Sequence, residues 1–303
     1  MSTHVISRRI QDIMQYIYDS HYPSKNRIID FLYTRDFNVS SRTFDRDLER
    51  IRTDFGLEIL YKKAKDGYYI NEQKSVKVSS FFKFLEIVTI ADIFSDSLAN
   101  SNKILEYVSF DDSKYLKGID NLKPILIAIN EKRTICFEHK NYAKKTITNY
   151  KIVPLYLKEY ENRWYVIGVP DNMEETRTFG IDRISNIKLD HLSSIQKEDY
   201  NHELKVFDNI VGLDHENKSE PLKVRLLINE LHVNYLESLP LHHSQVIHSK
   251  NSKGQYFVDY FLFPNYEFKS QVLKMGSDAI VLQPEELKKE IKGILKMTLN
   301  RYN

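Results

Sequence analysis

The residues best placed to do specific chemistry are three arginines, Arg42, Arg46 and Arg50, spaced four apart in the run Val39-Ser40-Ser41-Arg42-Thr43-Phe44-Asp45-Arg46-Asp47-Leu48-Glu49-Arg50-Ile51-Arg52. At roughly 100° per residue, this spacing stacks the guanidinium groups along one side of a helix. Phe44, Leu48, Ile51 and Phe55 form a narrow apolar stripe on another side. A guanidinium can grip a guanine edge with two parallel hydrogen bonds, and a helix N-terminus favours phosphate. A rigid helix of this kind therefore suits a DNA major groove. Ser40 has N-cap chemistry, and Val39 before it can close on Phe44 as a hydrophobic staple, so Ser41, Arg42 and Thr43 fall in the first turn. The run also admits a plainer reading, a solvated charged face, because Asp45, Asp47 and Glu49 interleave the arginines.

Other elements must hold that helix. Ile6, Ile10, Ile13, Met14 and Ile17 recur at helical spacing and predict a first helix from about Ser7 to Asp19. Ser24 then caps a second helix carrying Ile28, Ile29 and Leu32, and Arg35 to Asn38 leads into the arginine helix. Beyond Gly56 the period changes. Leu57, Ile59 and Tyr61 alternate with other residues, Ala64-Lys65-Asp66-Gly67 has turn chemistry, and Tyr68-Tyr69-Ile70 returns as a second strand. Lys62, Lys63 and Lys65 lie near the tip of this hairpin, where amines would meet a phosphate backbone.

Residues 1–73 resemble the winged helix-turn-helix of bacterial transcription regulators, whose recognition helix commonly reads Ser-x-Arg-Thr-x-x-Arg-Asp-Leu. Ser40, Arg42, Thr43, Arg46, Asp47 and Leu48 match that pattern, and Gly67-Tyr68-Tyr69-Ile70 matches the return strand of the wing. The resemblance implies a double-stranded DNA operator as partner. Its contacts would be Ser40, Ser41, Arg42, Thr43, Arg46, Arg50, Lys62, Lys63 and Lys65, with a structural role for Asp47.

Composition narrows the alternatives. A length of 303 residues allows two or three domains, and 42% hydrophobic with 28% charged residues is an ordinary soluble balance. With a net charge of +2, any nucleic-acid surface must be a local patch. The single cysteine, Cys136, excludes a disulfide framework and most zinc sites, and its place between Ile135 and Phe137 suggests a buried core residue. No signal peptide or membrane span is expected, so the reading is cytoplasmic with no membrane partner. Glu138-His139 and His242-His243 are the compact acid/base groups, and neither sits in a phosphate loop, nucleophile elbow or paired-carboxylate motif. No catalytic residue, cofactor or metal is expected.

Residues 74–120 read as a helical connector. Phe81 to Phe94 is apolar around most of a helix, which must be covered on several faces. Either the flanking domains clamp it, or it is a dimer interface placing two recognition helices on a two-fold operator. Residues 96 to 120 look like a second helix and an irregular link.

Residues 121–195 change to strands. After an apolar helix from Leu122 to Asn130, the runs Arg133 to His139, Thr146 to Leu157, Arg163 to Val169 and Thr176 to Ile181 predict a small antiparallel barrel. Alternation puts Trp164 and Val166 on one face, leaving Arg163 and Tyr165 on the other. Trp164-Tyr165-Val166 and Arg177-Thr178-Phe179-Gly180-Ile181-Asp182-Arg183-Ile184 resemble the WYL domain, named for a Trp-Tyr-Leu triplet and followed by a motif close to Arg-x-Phe-x-Leu-Asp-Arg-Ile. Val166 and Ile181 replace family leucines, and Gly180 stands where many members carry a basic or polar residue. The resemblance implies an Sm/SH3-like barrel that senses a ligand, often single-stranded DNA or another nucleic-acid fragment. Tyr165, Arg177 and Arg183 would contact it, with Arg163, Tyr142 and His139 as further candidates. Plainer roles stand beside these: Trp164 as core, Asp182 with Arg183 as a structural ion pair, His139 as a solvated turn residue.

Residues 190 to 220 look like a linker. From 205 to 303 the predicted order is βαββαβ and a final helix, a ferredoxin-like domain resembling the C-terminal extension that accompanies WYL domains. His242-His243 points in two directions and lacks a companion ligand. The expected protein is thus a multidomain α+β, homodimeric, ligand-responsive transcription regulator responding to a nucleic-acid fragment, nucleotide or other anionic effector. A non-catalytic adaptor whose winged helix binds protein is the alternative.

Overall fold

A computed structural model describes residues 3–75, 78–100, 117–214 and 220–302, and the chain divides into two compact units, Met1–Asp111 and Asp112–Asn303. The first contains α1 (Thr3–Ser20), α2 (Lys25–Thr34), α3 (Ser41–Phe55), the hairpin β1 (Ile59–Lys62) and β2 (Gly67–Ile70), and α4 (Val78–Asn100). Both expected caps form: Ser24 accepts from the Arg27 N–H and Ser40 from the Thr43 N–H. Gly56, in the left-handed region at φ 64°, ends α3 and turns the chain into the hairpin. Ile13, Met14, Ile28, Leu32, Phe44 and Ile51 are fully buried in one core, which Phe81 and Leu85 of α4 complete. Val39 belongs to the same cluster as Phe44, as a staple requires. The link read over 96–120 lies largely outside the described residues.

The second unit begins with α5 (Leu122–Asn130), whose Pro124 falls in the first turn, where a missing N–H costs nothing. Then follow β3 (Arg133–Asn141), β4 (Thr146–Tyr160), β5 (Arg163–Pro170), β6 (Arg177–Gly180) and β7 (Ile184–Leu192), antiparallel in the order β6-β5-β4-β3-β7. Residues 181–183 alone separate the two edge strands. In a flat sheet those edges would stand ~19 Å apart, whereas a connection of that length reaches at most ~14 Å. The sheet must therefore curl, and it closes around Ile125, Ile135, Ile152, Val166 and Phe179.

Two expectations fail in this unit. Cys136 is not a core residue: Ile135 and Phe137 point inward, so alternation turns Cys136 out, where its Sγ lies 3.7 Å from Asp190 Oδ2. The stretch read as linker from residue 190 is structured as well. β7 runs to Leu192, two bulges against β3 having erased its alternation from the sequence. Helical turns including α6 (Asn201–Leu204) then bury Phe207, Ile210 and Val211. Phe207 and Ile210 pack on Ile167 of β5. His242 Nε2 and His243 Nε2 both reach the Asp208 carbonyl, at 2.9 and 2.7 Å, so the histidine pair clasps this segment.

The remainder is β8 (Leu222–Asn229), α7 (Glu230–Ser238), β9 (Val246–Lys250), β10 (Gln255–Leu262), α8 (Tyr266–Lys274), β11 (Ala279–Gln283) and α9 (Glu285–Leu299). Its antiparallel sheet has the order β11-β8-β10-β9, so the first and third strands of a βαββαβ unit are central. All three helices pack on one face: Leu236, Phe268 and Leu287 share a core with Val224, Leu226 and Val258. No described helix is long and apolar enough to cross a membrane.

Candidate nucleic-acid interface and effector site

On α3 the carboxylates that interleave the arginines are all engaged elsewhere. Asp45 takes two bonds from Lys25 Nζ at 2.7 and 2.9 Å, and Glu49 pairs with Arg52 at 3.0 Å. Asp47 is fully buried and accepts from Arg9 Nε and Nη2 at 2.6 and 2.9 Å. Among the described residues, Arg42, Arg46 and Arg50 are bonded to no carboxylate, and Arg42 and Arg46 are exposed. Ser40 and Ser41 are exposed beside them at the helix N-terminus, and Thr43 is half-buried.

Sequence reasoning missed Arg9, although a signal was present. Arg9 shares a helical face with Ile13 and Ile17, and Asp47 lies in phase with Phe44 and Ile51. Opposite charges on two apolar stripes are a buried pair in waiting.

The hairpin is tied to the α1–α2 connection. Tyr68 N–H donates to the Pro23 carbonyl at 2.9 Å, and a Cβ on Gly67 would collide with the Tyr22 backbone. Lys62 Nζ and Lys65 Nζ sit 5.5 and 4.4 Å from the Tyr22 ring, and Lys63 is exposed beside them.

In the barrel, His139, Tyr150 and Phe179 meet edge to face, with Tyr150 and Phe179 centroids 4.8 Å apart and His139 5.4 Å from Phe179. The Arg177 guanidinium stands 5.8 Å over Tyr150, and that of Arg183 5.6 Å over Tyr142. His139 Nε2 is shielded from solvent with no hydrogen-bond partner. Burial, then the charge of Arg183, holds this imidazole below its ordinary value, against the opposing pull of Asp182. It is therefore a half-buried strand residue among cations, not a solvated turn residue.

Not every expected ligand residue joins this group. Val166 opposes Phe179 on the core side of the sheet, so Arg163 and Tyr165 point to the other side. That side is not left open along its length, because Ile167 beyond Tyr165 is buried under Phe207. Arg163 is exposed, and Tyr165, raised above its usual value chiefly by burial, also feels Asp182 and Arg183. Arg183 thus lies between the two groups, its Nε 3.6 Å from Asp182. Gly180 makes room for it: a Cβ there would come within 2.6 Å of Arg183 Nη2. Tyr150 and Phe179 were not foreseen as site residues, though Tyr150 shares the inward phase of Ile152.

Residues 120–189 match the family model of the WYL domain, and residues 220–299 that of the WCX domain. The chain carries both domains. The resemblance read from Trp164-Tyr165-Val166 and Arg177 to Ile184 is borne out at this level, and the cluster just described belongs to the WYL domain. Among solved structures, one similar chain is proteasome accessory factor B/C (PafBC) of Arthrobacter aurescens, at 15% identity and a TM-score of 0.29, covering 95% of this chain and 46% of that one. The chain thus spans under half the length of that relative. A CRISPR Cas-related protein matches at 13% identity and a TM-score of 0.42, covering 99% of this chain and 85% of that one. Neither superposition is close enough to carry a functional argument. No curated protein matches the sequence.

Chemically, the WYL cluster offers rings for stacking, two guanidinium groups for an anion and one unsatisfied imidazole nitrogen. Such a set suits a flat, negatively charged ligand better than an apolar one.

Proposed function

We propose that this chain is a bacterial, cytoplasmic, ligand-responsive transcription regulator whose first unit is a winged helix-turn-helix. The observation that carries the reading is α3: a helix with a fixed N-terminus, three arginines bonded to no carboxylate among the described residues, and every interleaved acid bonded elsewhere. A solvated charged face would pair those arginines with their own neighbours. Here they are left for the phosphates and base edges of duplex DNA, with Lys62, Lys63 and Lys65 on the wing. The WYL cluster of His139, Tyr142, Arg177 and Arg183, with Tyr150, receives a nucleic-acid fragment or nucleotide. Exposed Phe84, Ile87 and Ile90 on α4, 46–49% accessible, supply the contact with a second copy. The effector biases operator binding only by the difference between its affinities for the two states.

The test is selection of bound genomic DNA fragments, followed by anisotropy titrations over a range of salt. Several lysine and arginine contacts should give a steep loss of affinity, with a slope of about −0.9 per phosphate neutralised. Short single strands should shift duplex affinity in the native chain and leave Arg177→Ala unmoved. Absence of duplex binding at low salt would sink the proposal and return the first unit to a protein-binding role.

A further inference from the structure

The sheet of the WCX domain has two unlike faces. One is covered by α7, α8 and α9; the other carries Lys223, Arg225, Phe257, Asp259 and Phe261, none of which belongs to that core. Phe261 is 57% exposed, as are Val246 at 51% and Ile280 at 48% on the flanking strands. Phe261 stands directly opposite Lys223 in the register, so a ring and an amine share one cross-strand pair on the two central strands.

Beside them is a built cationic group. Asp259 takes two bonds from Arg225, both at 2.6 Å, and one from His248 Nε2 at 3.0 Å, with Lys223 Nζ at 3.4 Å. Three basic side chains thus converge on one carboxylate and saturate it. Arg225 is locked in place, its guanidinium 5.8 Å over the Phe257 ring. The face therefore offers solvent a ring, a fixed guanidinium plane and an amine, with a surplus of positive charge.

We infer that this second sheet face binds single-stranded nucleic acid. Bases stack on Phe261 and on the Arg225 plane, and phosphates meet Lys223. Rings on central strands with cations between them are what stacking and backbone neutralisation require, and an antiparallel sheet holds them rigidly. Charge complementarity disfavours a second copy here, since two such faces would set cation against cation while their carboxylates are already spent. The site shares no residue with the WYL cluster and does not depend on the duplex reading of α3.

The experiment uses the full chain with fluorescein-labelled octathymidylate at low salt. Phe261→Ala should weaken binding by roughly fivefold or more, the loss expected for one stacked base. Phe261→Trp should retain it, and Lys223→Ala should weaken it and flatten the salt dependence. Both positions are exposed, and an unchanged thermal melt confirms intact folding. Native affinity in Phe261→Ala and Lys223→Ala would overturn the inference. So would loss confined to Arg177→Ala, which would place the strand in the WYL domain alone. Equal competition by polyglutamate would reduce the face to a merely cationic surface, and conversion to monomers by Phe261→Ala in sedimentation would make it a contact between copies; either result overturns it too.

Discussion

In the first unit Arg42 and Arg46 leave α3 exposed, with each neighbouring carboxylate bonded to another cation, whereas in the second Arg177 and Arg183 lie over tyrosine rings at 5.8 and 5.6 Å. On the proposed reading, the same side chain serves two kinds of partner. A duplex supplies its own regular rows of phosphates and base edges, so a reader needs reach and a rigid helix more than a pocket. A small effector supplies few contacts, and its site gains by having the guanidinium groups already immobilised. The difference lies in what neighbours each arginine, and it can be broken at either end.

The largest effect should come from Asp47→Ala. It removes the carboxylate that takes two bonds from Arg9, itself 2% exposed, and breaking a buried ion pair of this kind costs about 3–5 kcal/mol, enough to unfold a small helical unit. Trp164, the one tryptophan, lies in the second unit. Circular dichroism should therefore lose helix while Trp164 fluorescence stays native. Equal loss of both signals would show that the two units do not fold independently. Arg46→Ala should be milder, relaxing discrimination among operator variants by about 1–3 kcal/mol if it makes a paired base contact. Unchanged discrimination would leave Arg46 a phosphate contact at most.

Gly180→Ala probes the other end. The new methyl group would meet Arg183 Nη2 and Asp182 Oδ1, both at 2.6 Å. Because these are the ends of side chains that can swing away, stability should fall by no more than about 1 kcal/mol. Arg183 would nevertheless leave its place over Tyr142. The expected outcome is a folded chain with a weakened effector response, read as the shift in duplex affinity on adding short single strands. A full response would mean that Arg183 holds the fold and not the ligand.

Much of this organisation was legible in the sequence because it follows short-range rules. The caps at Ser24 and Ser40, the change of period after Gly56, Pro124 in a first turn and the βαββαβ order after Leu222 are each set by a few adjacent residues. What escaped depends on the third dimension. The Arg9–Asp47 pair joins residues 38 apart, and β7 loses its alternation to bulges. The segment around Phe207 is polar in composition yet buried through a few apolar residues. The site was half legible for a similar reason. Parity separates Tyr165 from Arg177, but the grouping of His139 with Tyr150 and Phe179 requires the curl of the sheet.

Acid should separate the two units as well, without any substitution. Burial, helped by neighbouring His243, lowers His242 to about 4 from an ordinary 6.5. Between those values the unfolded chain holds a proton that the folded chain excludes, so stability of the second unit falls as pH drops from 6.5 towards 4. His139, also lowered by burial, acts in the same direction. In the first unit Asp12 is raised by burial, which favours the folded state as acid protonates it, the opposite sign. Urea midpoints followed by Trp164 fluorescence should therefore decline over this range. A reporter placed in the first unit, Tyr16→Trp on a Trp164→Phe background, should show no such decline. Since His242 Nε2 holds the Asp208 carbonyl, His242→Gln should lower the midpoint at neutral pH yet flatten its dependence on acid. An undiminished slope in that variant would assign the proton to His139 instead.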